Sequence, residues 1–469
     1  MTFAAALGWS LVRAFVITLL AWPCCRWIAA WINQDDGPRR PWRLAALMAP
    51  FVFPELLVGY GYAWMVAGLP ARAEWTCAAL MGLRVIPLGV VAQWLTPASP
   101  VTQSALYCRS LALRTWSDRR EWLRLWFTGP LLRALPAGTL MVLVALQQFE
   151  LAALLKAASW TDWLFVQQVG GLTLLESLRV SLIPVVVQLG LLLAALFAMQ
   201  SCRSDPANPS HDRVTPPCGG LAIGVLLLSW FFVVLIPLAG LVLGLPAGLV
   251  QLVTQPLRLT GLARELIGGL SMAAIAALAA NTVASVAIQA CAGRDAAGGV
   301  VLTGLALVPG LLGSLILSLA LVAFFQLPGL SWAYGTPLPW GLGLTLSLVP
   351  RALLLQLWLA RGPTSAEFLA APLFASGDRA QRSAGRALRW QLIGQPRFLA
   401  VSALVYWGYL DLTLAYLLAP PGMPSGVVRL YNFMHFGRTA ALSAEAAVLL
   451  MGPLLLAAVV WFLWWRIRE

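Results

Sequence analysis

Residues 180–200 read VSLIPVVVQLGLLLAALFAMQ, and residues 201–219 directly after them read SCRSDPANPSHDRVTPPCG. The first stretch carries no charged side chain and has the roughly 20 residues a helix needs to cross bilayer hydrocarbon. The second gathers Pro, Ser, Asp and Asn, which end the apolar pattern and mark a linker. Working outward, apolar runs of similar length recur at about 8–31, 45–68, 77–96 and 135–156 before these stretches. They continue after the linker at about 220–244, 266–291, 299–326, 338–360, 398–419 and 440–465. The expectation is an all-α polytopic membrane protein of 11 spans, with a first half at 1–200, a linker at 201–219 and a second half at 220–469.

Composition supports the class. Of 469 residues, 60% are hydrophobic and 10% charged, against roughly 25% charged in soluble domains. A soluble globule would have to expose that apolar surface, whereas lipid tails solvate it. The net charge of +13 does not indicate nucleic acid, because the cations sit in short stretches between apolar runs. Span 8–31 is too long for a cleaved leader and lacks a small-residue cleavage site. The seven cysteines (24, 25, 77, 108, 202, 218 and 291) show no paired metal spacing and read as small apolar residues. Neither metal nor cofactor is expected.

Of the 31 basic residues, 21 fall on one side of the expected spans and 7 on the other, with Arg13, Arg84 and Arg351 inside spans. The arginine-rich side should be cytoplasmic by the positive-inside rule. An odd number of spans then places the N-terminus outside and the C-terminus in the cytoplasm.

Two segments on the basic side are long and matched. Residues 97–134 read PASPVTQSALYCRSLALRTWSDRREWLRLWFTGPLLRA, and residues 361–397 read RGPTSAEFLAAPLFASGDRAQRSAGRALRWQLIGQPR. Each is amphipathic and basic, and each reaches a proline step, Gly129-Pro130 or Gln395-Pro396, just before a span. Phe149-Glu150-Leu151 and Leu410-Asp411-Leu412 follow inside those spans. The pattern reads as a diverged internal duplication. A helix carrying Arg119, Arg120 and Arg124 beside Trp122, Leu123, Leu125 and Trp126 can lie on an anionic leaflet or dock into a partner groove. Its repetition favours docking.

These segments resemble the coupling loops of ABC-importer permease subunits, specifically the fused two-half permeases of the ferric-iron and thiamine type. That family carries EAA, three residues, Gly and a later proline step before a late span of each half. Here the proline persists as Pro130 and Pro396, and an Ala-Ala pair as Ala370-Ala371. Leu111-Ala112-Leu113 is the nearest counterpart in the first half. The glutamate is absent from both loops, Ser117 stands in place of the first Gly, and Ala375 or Gly377 in place of the second. The run from 404 to 450 matches the family's order of acidic residue, Pro-Pro-Gly loop and small-residue-rich last span.

The resemblance implies a bacterial inner-membrane permease subunit with a cytoplasmic ABC ATPase dimer and a periplasmic substrate-binding protein as partners. Its substrate would be iron(III), thiamine or a similar small solute. It implies ATPase coupling through Arg109, Ala112, Arg114, Arg119, Arg120, Arg124 and Pro130. In the second half, Ala370, Ala371, Gly377, Arg382, Arg386 and Pro396 would do the same.

The chain itself offers no catalytic constellation. A phosphate-binding Gly-Lys step is absent, because the only lysine, Lys156, follows Leu155. Ionisable groups at membrane depth are the remaining functional candidates: Glu55, Arg84, Glu150, Arg351, Asp411 and Glu445. Glu150 and Asp411 occupy matching places in the two halves, so they read either as a pathway pair or as partners in helix-locking ion pairs. Pro50, Pro54, Pro184, Pro237, Pro309 and Pro350 punctuate spans as kinks or hinges. Trp340, Trp461, Trp464 and Trp465 read as interfacial anchors. The alternatives to an importer subunit are an ion-coupled secondary transporter using Glu150, Asp411 and Glu445, and a non-transporting protein derived from a permease.

Overall fold

The computed structural model describes residues 2–33, 40–96, 101, 103–111, 113–201, 219–254, 256–292, 304, 307–360, 378–390, 394–423, 425–435 and 439–466. Ala112, Ala370, Ala371 and Gly377 lie outside the described residues, as does 202–218 of the linker. The structure is 89% helix, with no strand among the described residues. It falls into two compact units, Met1–Gly240 and Leu241–Glu469.

The first unit begins with α1 (Phe3–Asn33), then α2 (Arg40–Val52), α3 (Glu55–Val66) and α4 (Pro70–Leu95). Two short helices, α5 (Gln103–Leu111) and α6 (Trp116–Trp126), lead through a π-helical turn at Phe127–Leu131 into α7 (Leu132–Leu146). Helices α8 (Glu150–Leu155), α9 (Trp160–Val169) and α10 (Leu174–Ser201) complete its first part. Pro54 has no N–H to donate and biases Phe53 away from helical geometry, so α2 and α3 meet at a 64° bend. Helix α1 packs on α4 and α7. The approach requires Gly89, where a Cβ would lie 2.5 Å from Met141 Sδ and 2.6 Å from Cys25 Sγ.

Beyond the linker, α11 (Gly219–Ser229), a π-helical stretch at Trp230–Leu235 and the start of α12 (Ile236–Thr254) pack within the first unit. The irregular turn leaves the Phe232 carbonyl available, and the Tyr62 hydroxyl donates to it across 2.7 Å. Trp230 Nε1 donates to the Ala46 carbonyl, also at 2.7 Å.

The second unit contains α13 (Pro256–Ala292), a short helical stretch at 307–311, α14 (Ser314–Phe325) and α15 (Ser331–Tyr334). It continues with α16 (Leu338–Ala360), α17 (Arg379–Arg389), α18 (Gln395–Tyr409), α19 (Leu412–Leu418), α20 (Gly426–His435) and α21 (Thr439–Arg466). Ala276, Ala280 and Ala284, one helical turn apart on α13, share a core with Leu344, Leu348 and Ala352 of α16 and Leu404 of α18. Small side chains let these helices approach closely, which supplies packing where lipid offers no hydrophobic drive. In each unit the same kinds of neighbours meet in the same chain order. Helix α1 meets α4 and α7, as α13 meets α16 and α18; α3 meets α8, as α14 meets α19.

Among the described residues, 8 helices are long and apolar enough to cross a membrane, or 10 if two bent pairs each count as one span. The chain is a multi-pass membrane protein, and the expected 11 uninterrupted spans need correction. Span 45–68 is the bent pair α2–α3, and span 398–419 is α18–α19, bent by 54°. Span 135–156 ends at Leu146, with Glu150–Leu155 a separate helix. The described part of span 299–326 is interrupted: a short helical stretch at 307–311 precedes the 12-residue α14, itself about 18 Å long and shorter than bilayer hydrocarbon. Trp340 is no interfacial anchor, since it is 2% exposed in the second core.

Candidate functional sites: the helix breaks, a buried ion-pair cluster and the basic segments

The break between α2 and α3 leaves carbonyls without helical partners, and Arg84 on α4 takes them up. Its guanidinium donates to the Phe53 carbonyl at 2.7 Å and the Phe51 carbonyl at 3.2 Å. It also pairs with Glu55 Oε1 at 3.1 Å, with its own side chain 5% exposed. Gln148 Nε2 donates to Glu55 Oε2 at 2.6 Å. Glu55 stands in the first turn of α3, where a negative charge complements the helix dipole. These bonds satisfy backbone that lipid cannot solvate and close the break over a paired charge.

The second unit carries a joint built on a single carboxylate, that of Asp411. Asp411 caps α19 by accepting from the Leu414 N–H at 3.0 Å. Its other carboxylate oxygen accepts from the Ser314 hydroxyl at 2.8 Å, and Ser314 opens α14 as Glu55 opens α3. Counting from the C-caps Gln147 and Leu410, the counterpart of Asp411 is Gln148. Glu150 begins α8 two residues later, so the two acids do not fill the same place in their breaks. Arg351, on α16, lies over the Trp407 ring, with its guanidinium carbon 5.8 Å from the ring centroid.

Glu445 is 1% exposed and held bidentately. Arg429 Nε donates to its Oε2 at 2.7 Å and Arg429 Nη2 to its Oε1 at 3.1 Å. Arg429 Nη1 reaches Glu265 Oε1 at 3.0 Å. One guanidinium thereby ties α13, α20 and α21. The sequence reading placed Arg429 in a loop and Glu265 just outside a span, so neither was singled out. In the first unit, buried Arg13 likewise joins Glu74 Oε2 and the Ala158 carbonyl, each at 2.9 Å.

The basic segments are built differently from these buried locks. Helix α6 starts with a capping box: the Asp118 N–H donates to Thr115 Oγ1 at 3.3 Å, and the Thr115 N–H donates to Asp118 Oδ2 at 2.9 Å. Arg109 of α5 pairs with Asp118 at 3.5 Å and also with Glu121, fixing α5 to α6. No residue of α6 is buried. Arg114, Arg119, Arg120 and Arg124 face outward beside Trp116, Leu123 and Trp126. Pro130 sits in the π-helical turn that follows.

Helix α17 is capped at Asp378, whose N–H donates to Gln381 Oε1 at 3.0 Å. Arg382 and Arg386 on it are exposed. Trp390 and Gly394, at the junction with α18, are π-helical as well, and Pro396 stands in the first turn of α18. Trp390 packs on Trp461 of α21 with centroids 5.6 Å apart, so Trp461 anchors the segment end to the last helix.

Among the described residues there is no group of three or more His, Cys, Asp or Glu able to hold a metal. No family model, curated protein or solved structure matches this chain.

Proposed function

We propose that this chain is the permease subunit of an ATP-driven importer, with two related helical halves enclosing the path and a separate cytoplasmic ATPase bound to its basic segments. The observation that carries the reading is the repeated segment. In each unit a capped, exposed, arginine-bearing helix (α6 or α17) precedes an apolar helix (α7 or α18). A proline and π-helical residues stand near the step, Phe127–Leu131 in the first unit and Trp390 and Gly394 in the second. A short helix joined rigidly to a span can pass a push from a soluble partner into the membrane. A surface helix that only lay on lipid would have no need of that junction in both units.

The recurring neighbour order, α1–α4–α7 and α13–α16–α18, fits a permease built from duplicated halves. In this reading the arginine-rich side is cytoplasmic, the N-terminus lies outside the bacterial inner membrane, and a binding protein delivers a small solute such as iron(III) or thiamine. Ion-coupled transport is the weaker reading, because Glu445 is neutralised bidentately by Arg429 and Asp411 is engaged by Ser314 and a helix cap.

Purification of the tagged chain, expressed with its chromosomal neighbours, tests the proposal. An ATPase with a phosphate-binding loop should co-purify near stoichiometrically, and vanadate should block solute uptake. Uptake that survives ATP depletion and collapses with an uncoupler would replace this reading with the ion-coupled one.

A further inference from the structure

Among the described residues, three buried oxygens of the second unit have no hydrogen-bond partner: Glu265 Oε2, the Tyr409 hydroxyl and Ser425 Oγ. Tyr409 and Ser425 are each 2% exposed. Tyr409 and Ser425 share one level beside α13, and Glu265 stands one helical turn away. On α13, Glu265 and Gly269 are one turn apart; on the other side, Ser425 and Arg429 are one turn apart, with the Arg429 N–H donating to the Ser425 carbonyl at 3.2 Å.

At one level Arg429 meets Glu265 at 3.0 Å. At the next, Gly269 faces Tyr409 and Ser425. A Cβ on Gly269 would lie 3.1 Å from Tyr409 Cε2 and 3.9 Å from Ser425 Oγ, and a Cβ on Gly426 would lie 3.0 Å from the Tyr409 hydroxyl oxygen.

Charge and ligand chemistry select the occupant. Counted at formal charge, Glu265 and Glu445 bring two negatives against the single positive of Arg429, while neighbouring Arg264 points to an exposed face. The other titratable side chain beside Tyr409 is the phenol of Tyr406. The cluster is therefore one positive charge short, and a buried excess charge is costly. Water would satisfy the hydroxyls without supplying that charge. A divalent ion would overcompensate the charge, and the three oxygens themselves offer a soft metal no sulfur or imidazole. Carboxylate and hydroxyl oxygens suit a hard cation, and the partly exposed side chains of Glu265 (13%) and Arg429 (21%) leave a route inward.

We propose that Glu265 Oε2, the Tyr409 hydroxyl and Ser425 Oγ form a binding site for one sodium-sized monovalent cation, which fastens the start of α13 to the end of α18 and the α20–α21 corner. The site lies wholly in the second unit and does not depend on the importer reading.

The test uses the full chain in nanodiscs, with sodium exchanged for N-methylglucamine at constant ionic strength. Thermal unfolding should shift upward saturably with sodium, and equilibrium radiosodium binding should show about one ion per chain, the count one net negative charge calls for. Glu265→Gln should abolish both effects. Tyr409→Phe and Ser425→Ala should each weaken sodium binding by about tenfold, the scale of one lost bond to a charged group. Ser425→Ala leaves the Arg429 ion pairs intact, so it decides the matter if Glu265→Gln does not fold. Unaltered sodium affinity in Ser425→Ala overturns the proposal. So does stabilisation by ionic strength or by pH alone, which would make the occupant water or a proton.

Discussion

The Ser314 hydroxyl donates to Asp411 Oδ2 across 2.8 Å, joining the first residue of α14 to the break between α18 and α19. The first unit makes the equivalent joint with Gln148 and Glu55, but there a buried arginine is added. Each unit thus holds two interrupted helices together at their interruptions. The chemistry differs, an amide–carboxylate–guanidinium chain in the first unit and a hydroxyl–carboxylate contact in the second.

Asp411 both caps α19 and accepts from Ser314. Asp411→Ala should lower stability by about 1–3 kcal/mol, the sum of a lost cap and a lost hydrogen bond. Asp411→Asn, which keeps an acceptor for the cap, should cost less. Thermal unfolding in nanodiscs distinguishes them, and equal losses for the two would show that the cap contributes nothing.

Arg84 satisfies two carbonyls and one carboxylate at the α2–α3 bend. Arg84→Met leaves the partly exposed Glu55 carboxylate and the Phe51 and Phe53 carbonyls without their donor and should cost about 1–3 kcal/mol. Adding Glu55→Gln should recover part of that loss, giving a positive coupling in a double-mutant cycle. Strictly additive losses would contradict the pairing.

Gly89 lies against Met141 and Cys25. Gly89→Ala should destabilise the first unit by about 1–3 kcal/mol through overpacking, and Met141→Ala in the same chain should relieve the share due to Met141 while leaving that with Cys25. Proteolytic susceptibility of α1 and α4 would report the local loosening.

The membrane class was legible because it depends only on length and hydropathy, as in 180–200. The bend at Pro54 had a local signal, the missing N–H, yet the apolar run continued through it and read as one span. The bend at Asp411 had a weaker signal, an N-capping acid embedded in an apolar run. Its meaning depends on Ser314, 97 positions earlier. The cluster of Glu265 and Arg429 could not be read at all, because its partners are 164 positions apart and no periodicity links them. The basic segments were legible as amphipathic helices; their π-helical junctions were not, since Gly129-Pro130 signals only a break.

The central claim is that a separate ATPase docks on α6 and α17, and quantitative co-purification tests it most directly. The wild-type chain should retain the ATPase. A variant carrying Arg119→Glu, Arg120→Glu and Arg124→Glu should lose most of it while still inserting and folding, because these side chains are exposed and make no buried contact. Reversing Arg382 and Arg386 as well should remove the remainder. Full retention of the ATPase after 97–134 and 361–397 are both replaced by Gly/Ser linkers would contradict the account.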